Sequence, residues 1–157
     1  MNGKWLIALL PIVVGLLAVP ATAEDITVTA GVPTYVSVVF NYNTVNFGNV
    51  TPGSIDVPAP GTYGGAYNVT VTTNINLNVY AYRTNWSPYE GYLVLKFGMH
   101  YNPGDLSPSH TLVTYSQLIG TIAMGSYTHY HGYWLTVLSN APSGTYSTTV
   151  TITYVPA

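Results

Sequence analysis

Apolar and polar residues alternate with a period of two along most of the chain beyond residue 24, and turn-forming residues separate the runs. Ile26, Val28, Ala30 and Val32 share one parity, with Thr27 and Thr29 on the other. The same alternation holds for Val36, Val38 and Phe40, for Tyr67, Val69 and Val71, for Leu77, Val79 and Ala81, and for Leu93, Leu95, Phe97 and Met99. A final run sets Tyr146, Val150, Ile152 and Tyr154 against Thr145, Ser147, Thr149, Thr151 and Thr153. Successive side chains of a strand point to opposite faces, so each run predicts a half-buried strand. Tyr133 to Leu138 is apolar on both parities and predicts a strand covered on both sides.

Turn signals fall between the runs: Asn49-Val50-Thr51-Pro52-Gly53, Pro58-Ala59-Pro60-Gly61, Ser87-Pro88, Asn102-Pro103-Gly104 and Pro142-Ser143-Gly144. No stretch sustains a 3.6-residue period, and Leu112 to Ile119 is expected to hold a helical turn at most. Roughly seven to nine short strands with regular turns predict an all-β fold, an antiparallel Greek-key sandwich of immunoglobulin-like or jelly-roll type. A closed barrel is the alternative. The first run, Glu24 to Val32, is set apart by Gly31 and Pro33 and reads as a detachable N-terminal strand, able to lie in its own sheet or in that of a neighbour.

The residues before that run change the picture. Lys4, the apolar stretch Trp5 to Val19 and the small residues Pro20-Ala21-Thr22-Ala23 form a Sec-type signal peptide with an A-x-A site after Ala23. The stretch is short of the about 20 apolar residues of a membrane span, and Pro11 and Pro20 argue against a prepilin leader retained as a filament-core helix. The organisation expected is therefore a signal peptide over 1–23, an N-terminal donor strand over 24–32 and a β-sandwich domain over 33–157. The expected location is secreted, at the cell surface, with no membrane contact after cleavage.

Composition narrows the function. Only 5% of residues are Asp, Glu, Lys or Arg, against about 25% in ordinary soluble domains. Beyond Ala23 the only cations are Arg83 and Lys96, against Glu24, Asp25, Asp56, Glu90 and Asp105. Nucleic acid and anionic lipid are excluded as partners, because neutralising phosphates takes several Lys or Arg on one face. There is no cysteine, so stability must come from packing, ladder hydrogen bonds and association. A surface made largely of Tyr, Thr, Ser and Asn suits contact with copies of itself.

Candidate chemistry is sparse. His129 and His131 share one face of a strand, the spacing of a metal-ligand pair, and His100 and His110 are the other histidines. A zinc site needs at least a third ligand, and neither a Cys nor an H-E-x-x-H pattern is present. These histidines are expected on a surface or loop within an aromatic patch, with no metal and no cofactor. Asp56, Glu90 and Asp105 lie in Pro/Gly-rich turns and read as solvated turn residues, not a catalytic pair. There is no G-x-S-x-G elbow, so no enzyme is expected. Tyr127, Tyr130, Tyr133 and Trp134 belong to the densest aromatic cluster and are candidate subunit-contact residues, with sugar stacking as the competing use. Three N-x-[ST] sequons place candidate glycosylation at Asn68, Asn49 and Asn85, with Asn68 on the outward parity of its strand.

The signal peptide, the lone N-terminal strand, the Phe47-Gly48-Asn49-Val50-Thr51-Pro52-Gly53 turn and the closing Ser143-Gly144-Thr145-Tyr146 segment together resemble a known group. The chain looks like the secreted β-sandwich filament subunits of the archaeal bundling pilin and thread type, related to the TasA/camelysin biofilm fibre proteins. The resemblance implies a fibre built by donor-strand complementation, in which Ile26, Val28, Ala30 and Val32 fill pockets of the next subunit. The partner it implies is a copy of the same chain, added head to tail, with lateral bundling, adhesion and biofilm as the setting. A cell-surface carbohydrate-binding or S-layer-associated sandwich module is the alternative.

Overall fold

The computed structural model describes residues 29–157. The predicted donor strand falls mostly outside them: Ile26 and Val28 lie outside, and Ala30 and Val32 are exposed and carry no regular secondary structure. Pro33–Ala157 forms one unit.

That unit is all-β, apart from a single 3-10 turn at Pro103–Asp105, and consists of two antiparallel sheets. The larger sheet contains β1 (Val36–Phe40), β2 (Val57–Pro58), β3 (Asn68–Thr73), β5 (Leu93–His100), β6 (His110–Thr111) and β8 (Gly125–Val137). Its order is β1-β3-β8-β5-β6, with β2 also paired to β8. The smaller sheet runs β7-β4-β9, where β4 is Leu77–Arg83, β7 is Gln117–Ile122 and β9 is Val150–Pro156. The two layers share one core. Val69, Val71, Leu95, Phe97, Tyr133 and Leu135 from the larger sheet pack with Leu77, Val79 and Ala81 from the smaller. These are the apolar parities of the alternating runs, and pairing β3, β4, β5 and β8 by backbone hydrogen bonds turns each parity into a continuous face.

One element departs from the sequence expectation. Leu112 to Ile119 holds no helical turn, and its C-terminal part opens strand β7. The register of β7 on β4 shifts between Val79 and Tyr80, which pair with Gly120 and Leu118, so Ile119 is an extra residue in a bulge. The bulge places Ile119 and Ile122, three residues apart, both inward, and so removes the period-two signature.

Of the segment read as covered on both sides, Tyr133 to Val137 lie in the second half of β8, whereas Leu138 falls just beyond the strand and is exposed. From His131 to Leu135 every residue is buried. Tyr133 and Leu135 face the other sheet. Trp134 faces the opposite way, where its indole Nε1–H donates to the Tyr63 hydroxyl at 3.1 Å. A Cβ at Gly132 would stand 2.3 Å from its ring, and one at Gly98 2.0 Å from the Ser107 carbonyl oxygen. Both glycines are therefore required by close approach on this outer face.

Candidate functional site

The smaller sheet ends abruptly at β9, which pairs with β4 and, among the described residues, with nothing on its other side. Register and alternation show which backbone groups are left over. Ala157 N–H donates to the Asn76 carbonyl at 3.0 Å and Thr84 N–H to the Thr149 carbonyl at 2.9 Å. Antiparallel pairing alternates, so Thr149, Thr151, Thr153 and Val155 direct their N–H and C=O toward β4, whereas Val150, Ile152 and Tyr154 direct theirs outward. Pro156, which has no N–H, occupies the same outward parity, the position where an edge strand tolerates proline.

Burial falls away in step. Leu77, Val79 and Ala81 are fully buried, while Val150, Ile152 and Tyr154, their neighbours on the same inner face, are only half-buried. Phe40, at the end of the opposing edge strand β1, turns inward against His131 and Tyr154 with ring centroids 6.0 Å away, yet remains 39% exposed. Between these edges runs a cleft of about 1120 Å³, walled by Phe40 and residues 42–50 on one side and 143–152 on the other, with Leu93, Leu95 and Leu135 on its floor. No Asp, Glu, Lys or Arg lines it. Small-molecule pockets usually measure about 300–1,000 Å³; an uncharged trough of this size, lined by Asn, Ser and Thr as well as apolar residues and flanked by unpaired backbone, suits a polypeptide strand.

One end of the cleft rests on a buried polar seam. Tyr133 Oη lies 2.7 Å from Tyr42 Oη, which bonds His131 Nδ1; His131 Nε2 lies 3.3 Å from Tyr154 Oη, which lies 2.8 Å from His129 Nε2. Donation in one direction, Tyr133 to Tyr42 to His131 to Tyr154 to His129, satisfies every group except an Nδ1–H on His129, and that atom is buried without a partner. The reverse direction strands both the His129 Nδ1 lone pair and the Tyr133 hydroxyl proton, so the first is favoured. Burial holds His129 down to about 4 and His131 well below the usual imidazole range, the latter with help from His129. Burial also raises Tyr42, Tyr133 and Tyr154 above the ordinary phenol value, with Tyr133 adding to the shift at Tyr42. The seam is thus neutral, and it ties β9 of one sheet to β8 of the other.

The expectation of surface histidines is corrected here. His129 and His131 do share a strand face, but it is the inner one, where they are 1% and 0% exposed. What makes burial tolerable is hydroxyls supplied by Tyr42 and Tyr154, which sequence reasoning did not connect to them. His100 and His110 lie elsewhere, on β5 and β6, and the described residues contain no group of three or more His, Cys, Asp or Glu able to hold a metal.

Of the aromatic candidates, Tyr133 and Trp134 are 3% and 1% exposed and belong to the two faces of the packed interior. They cannot serve as surface contacts, because β8 is a central strand covered on both sides. Tyr127 remains exposed, beside exposed Tyr101 at 5.6 Å between centroids, and Tyr130 is half-buried. Among the sequons, Asn49 and Asn85 are exposed. The half-buried Asn68 accepts from the Asn41 amide and donates to the Gly65 carbonyl at 3.1 Å, so its amide is engaged within the fold.

Two of the acids are not merely solvated. Arg83, 8% exposed, binds Glu90 through both terminal nitrogens at 3.2 and 2.7 Å and donates from Nε to the Leu112 carbonyl at 3.1 Å. Lys96 Nζ lies 2.8 Å from Asp56, whose other oxygen accepts from Thr136 at 3.0 Å. These hydrogen bonds, to Arg83 and to Lys96 respectively, hold Glu90 and Asp56 below the usual carboxylate range. Asp105 accepts from Asn102 at 2.9 Å in the 3-10 turn. The three acids therefore serve separate local structures.

Neither the known protein families nor the curated proteins contain a match to this chain. Among the described residues, no helix is long and apolar enough to cross a membrane.

Proposed function

We propose that this chain is a non-enzymatic structural subunit of an extracellular filament, exported through its signal peptide and polymerised by strand donation between copies. The observation that carries this reading is the uncharged cleft beside an uncovered sheet edge, in a domain whose sequence begins with a strand-like segment of matching apolar parity. Head-to-tail addition of that kind does not close on itself and yields a fibre. The two-layer architecture is consistent with an immunoglobulin-like or jelly-roll Greek key whose detachable N-terminal strand completes a neighbour. The resemblance to archaeal bundling pilins and TasA/camelysin fibre proteins supports the same reading, including release from the membrane after cleavage and a role in adhesion or biofilm.

The alternative, a carbohydrate-binding or S-layer-associated module, is favoured by one feature, the exposed pair Tyr101 and Tyr127. Their rings are tilted by 59°, so the pair does not form one flat stacking face.

The test is negative-stain microscopy of the mature chain and of Val28→Asp. An unpaired carboxylate in an apolar pocket costs several kcal/mol or forces its own protonation. Filaments from the parent and none from the variant are expected. Undiminished filaments from Val28→Asp would refute strand donation, and a parent chain that stays monomeric and binds oligosaccharide would support the alternative.

A further inference from the structure

Resting on the filament reading, we propose that the outer edge of β9 is the acceptor. Residues 24–32 of a second copy lie along Thr148 to Tyr154 as a fourth strand of the smaller sheet, with Ile26, Val28, Ala30 and Val32 turned into the cleft.

Four observations converge on this edge. Val150, Ile152 and Tyr154 direct three N–H and three C=O groups away from β4, and no strand among the described residues takes them up. The same three side chains face the core and are half-buried, so an added strand on this side would complete their burial. Natural edge strands are usually blunted by Lys, Pro or inward charge; between Thr148 and Val155, β9 carries none of these, and its one proline is the terminal Pro156. The cleft lining is uncharged, and so is Ile26 to Val32, the part of the segment that carries the four inward side chains; the charges of Glu24 and Asp25 precede it. A nine-residue segment reaches about 30 Å in strand geometry, enough to follow β9 and the extended stretch that precedes it.

The edge of β1 is the competing acceptor, since Val36, Val38 and Phe40 also direct backbone groups outward by the same alternation. The cleft, however, does not follow it. Its wall begins at Phe40 and includes none of Val36 to Val39, whereas it continues unbroken from Ser143 into β9 as far as Ile152.

Proline placed by parity tests the assignment. Ile152→Pro removes an outward N–H that takes no part in the β4 ladder, whereas Thr153→Pro removes one that does. Ile152→Pro is expected to keep a cooperative folding transition, at a midpoint lowered by the loss of a half-buried side chain, and to remain monomeric, while Thr153→Pro loses its folding transition. Ile152→Pro still carries an intact donor and Val28→Asp an intact acceptor. Each alone should therefore stay monomeric, and the mixture should form one-to-one pairs in sedimentation velocity. Filaments from Ile152→Pro overturn the assignment to β9 but leave strand donation standing, provided Val28→Asp is assembly-dead. Filaments from Val28→Asp, or a parent that never assembles, refute the filament reading and this assignment with it.

If Ile152→Pro fails to fold, residue-resolved hydrogen exchange on the parent decides the matter. Assembly should slow exchange at the Val150, Ile152 and Tyr154 amides at least about 100-fold relative to monomeric Val28→Asp, with little change at Thr151 and Thr153. Unchanged rates at the first three, or protection gained at Val36, Val38 and Phe40 instead, overturn the proposal.

Discussion

Acidification from pH 7 to pH 4 should lower the stability of this domain by several kcal/mol through two buried imidazoles. His129 and His131 are held neutral in the fold, with His129 down to about 4 and His131 well below its usual range, both because burial disfavours the charged ring. In the unfolded chain both return to about 6.5. Below that value the unfolded state therefore binds protons that the folded state refuses, and stability falls as pH falls. Each ring contributes a slope of up to about 1.4 kcal/mol per pH unit. Across the interval from 6.5 to about 4, His129 alone removes about 3 kcal/mol. His131, held well below its usual range, adds to the loss in the same direction, and even the His129 part is a sizeable fraction of the about 5–15 kcal/mol by which domains are stable.

The carboxylates do not confuse the reading. Asp56 and Glu90 are held low by Lys96 and Arg83, so their stabilisation is present above the unfolded carboxylate value of about 4 and is lost only below it. The window from pH 6.5 to 5 belongs to the histidines. Urea unfolding of the unassembled chain at unit steps from pH 8 to 4 measures the slope. Replacing His129 with Gln should remove about half of it, whatever the substitution does to stability at pH 7. A stability that stays level from pH 8 to 5 would refute the argument, because it would mean that the rings titrate in the fold as they do in water.

Two further tests concern the packing and the ion pairs. Gly98→Ala would set a Cβ 2.0 Å from a backbone oxygen of Ser107, and overpacking of this kind should cost about 1–3 kcal/mol or more, read as a lower thermal midpoint. Glu90→Ala strands a buried guanidinium and should cost about 2–3 kcal/mol, discounted from the value for a fully buried pair because Glu90 is 40% exposed. Asp56→Asn, which keeps a residue tolerant of the positive φ of 50° there, disturbs a pair with both partners partly exposed and should cost no more than about 1 kcal/mol. Equal losses from the two acid substitutions in denaturant unfolding would contradict the distinction.

The sequence was most readable where a strand lies half-buried and unbroken, as in Leu77-Val79-Ala81, whose parity became the fully buried face of β4. It failed at β7, where one extra residue at Ile119 broke the alternation that marks a strand. The histidines were misplaced for a different reason. Residue type places His at surfaces as readily as in cores, and the hydroxyls that permit burial come from Tyr42, 89 residues from His131, and Tyr154, 25 residues from His129. No local window contains those distances. The cleft was least legible of all, since it lies on the side of β9 that no strand among the described residues pairs; alternation in Val150-Ile152-Tyr154 announces an inner face but not whether both neighbours are present.

The pairing of Lys96 with Asp56 and of Arg83 with Glu90 has a kinetic corollary. Both cations of this domain are engaged in local pairs, so Glu24, Asp25 and Asp105 are left without a cation and every copy carries the same small negative excess. Approaching copies meet no steering attraction, only a weak like-charge repulsion. Screening removes that repulsion, so the rate at which copies meet should rise modestly from about 0.01 M to 1 M salt, as the Debye length shrinks from about 30 to 3 Å. Salt then acts on such a subunit as a mild promoter of association, where it would weaken a contact made by opposite charges.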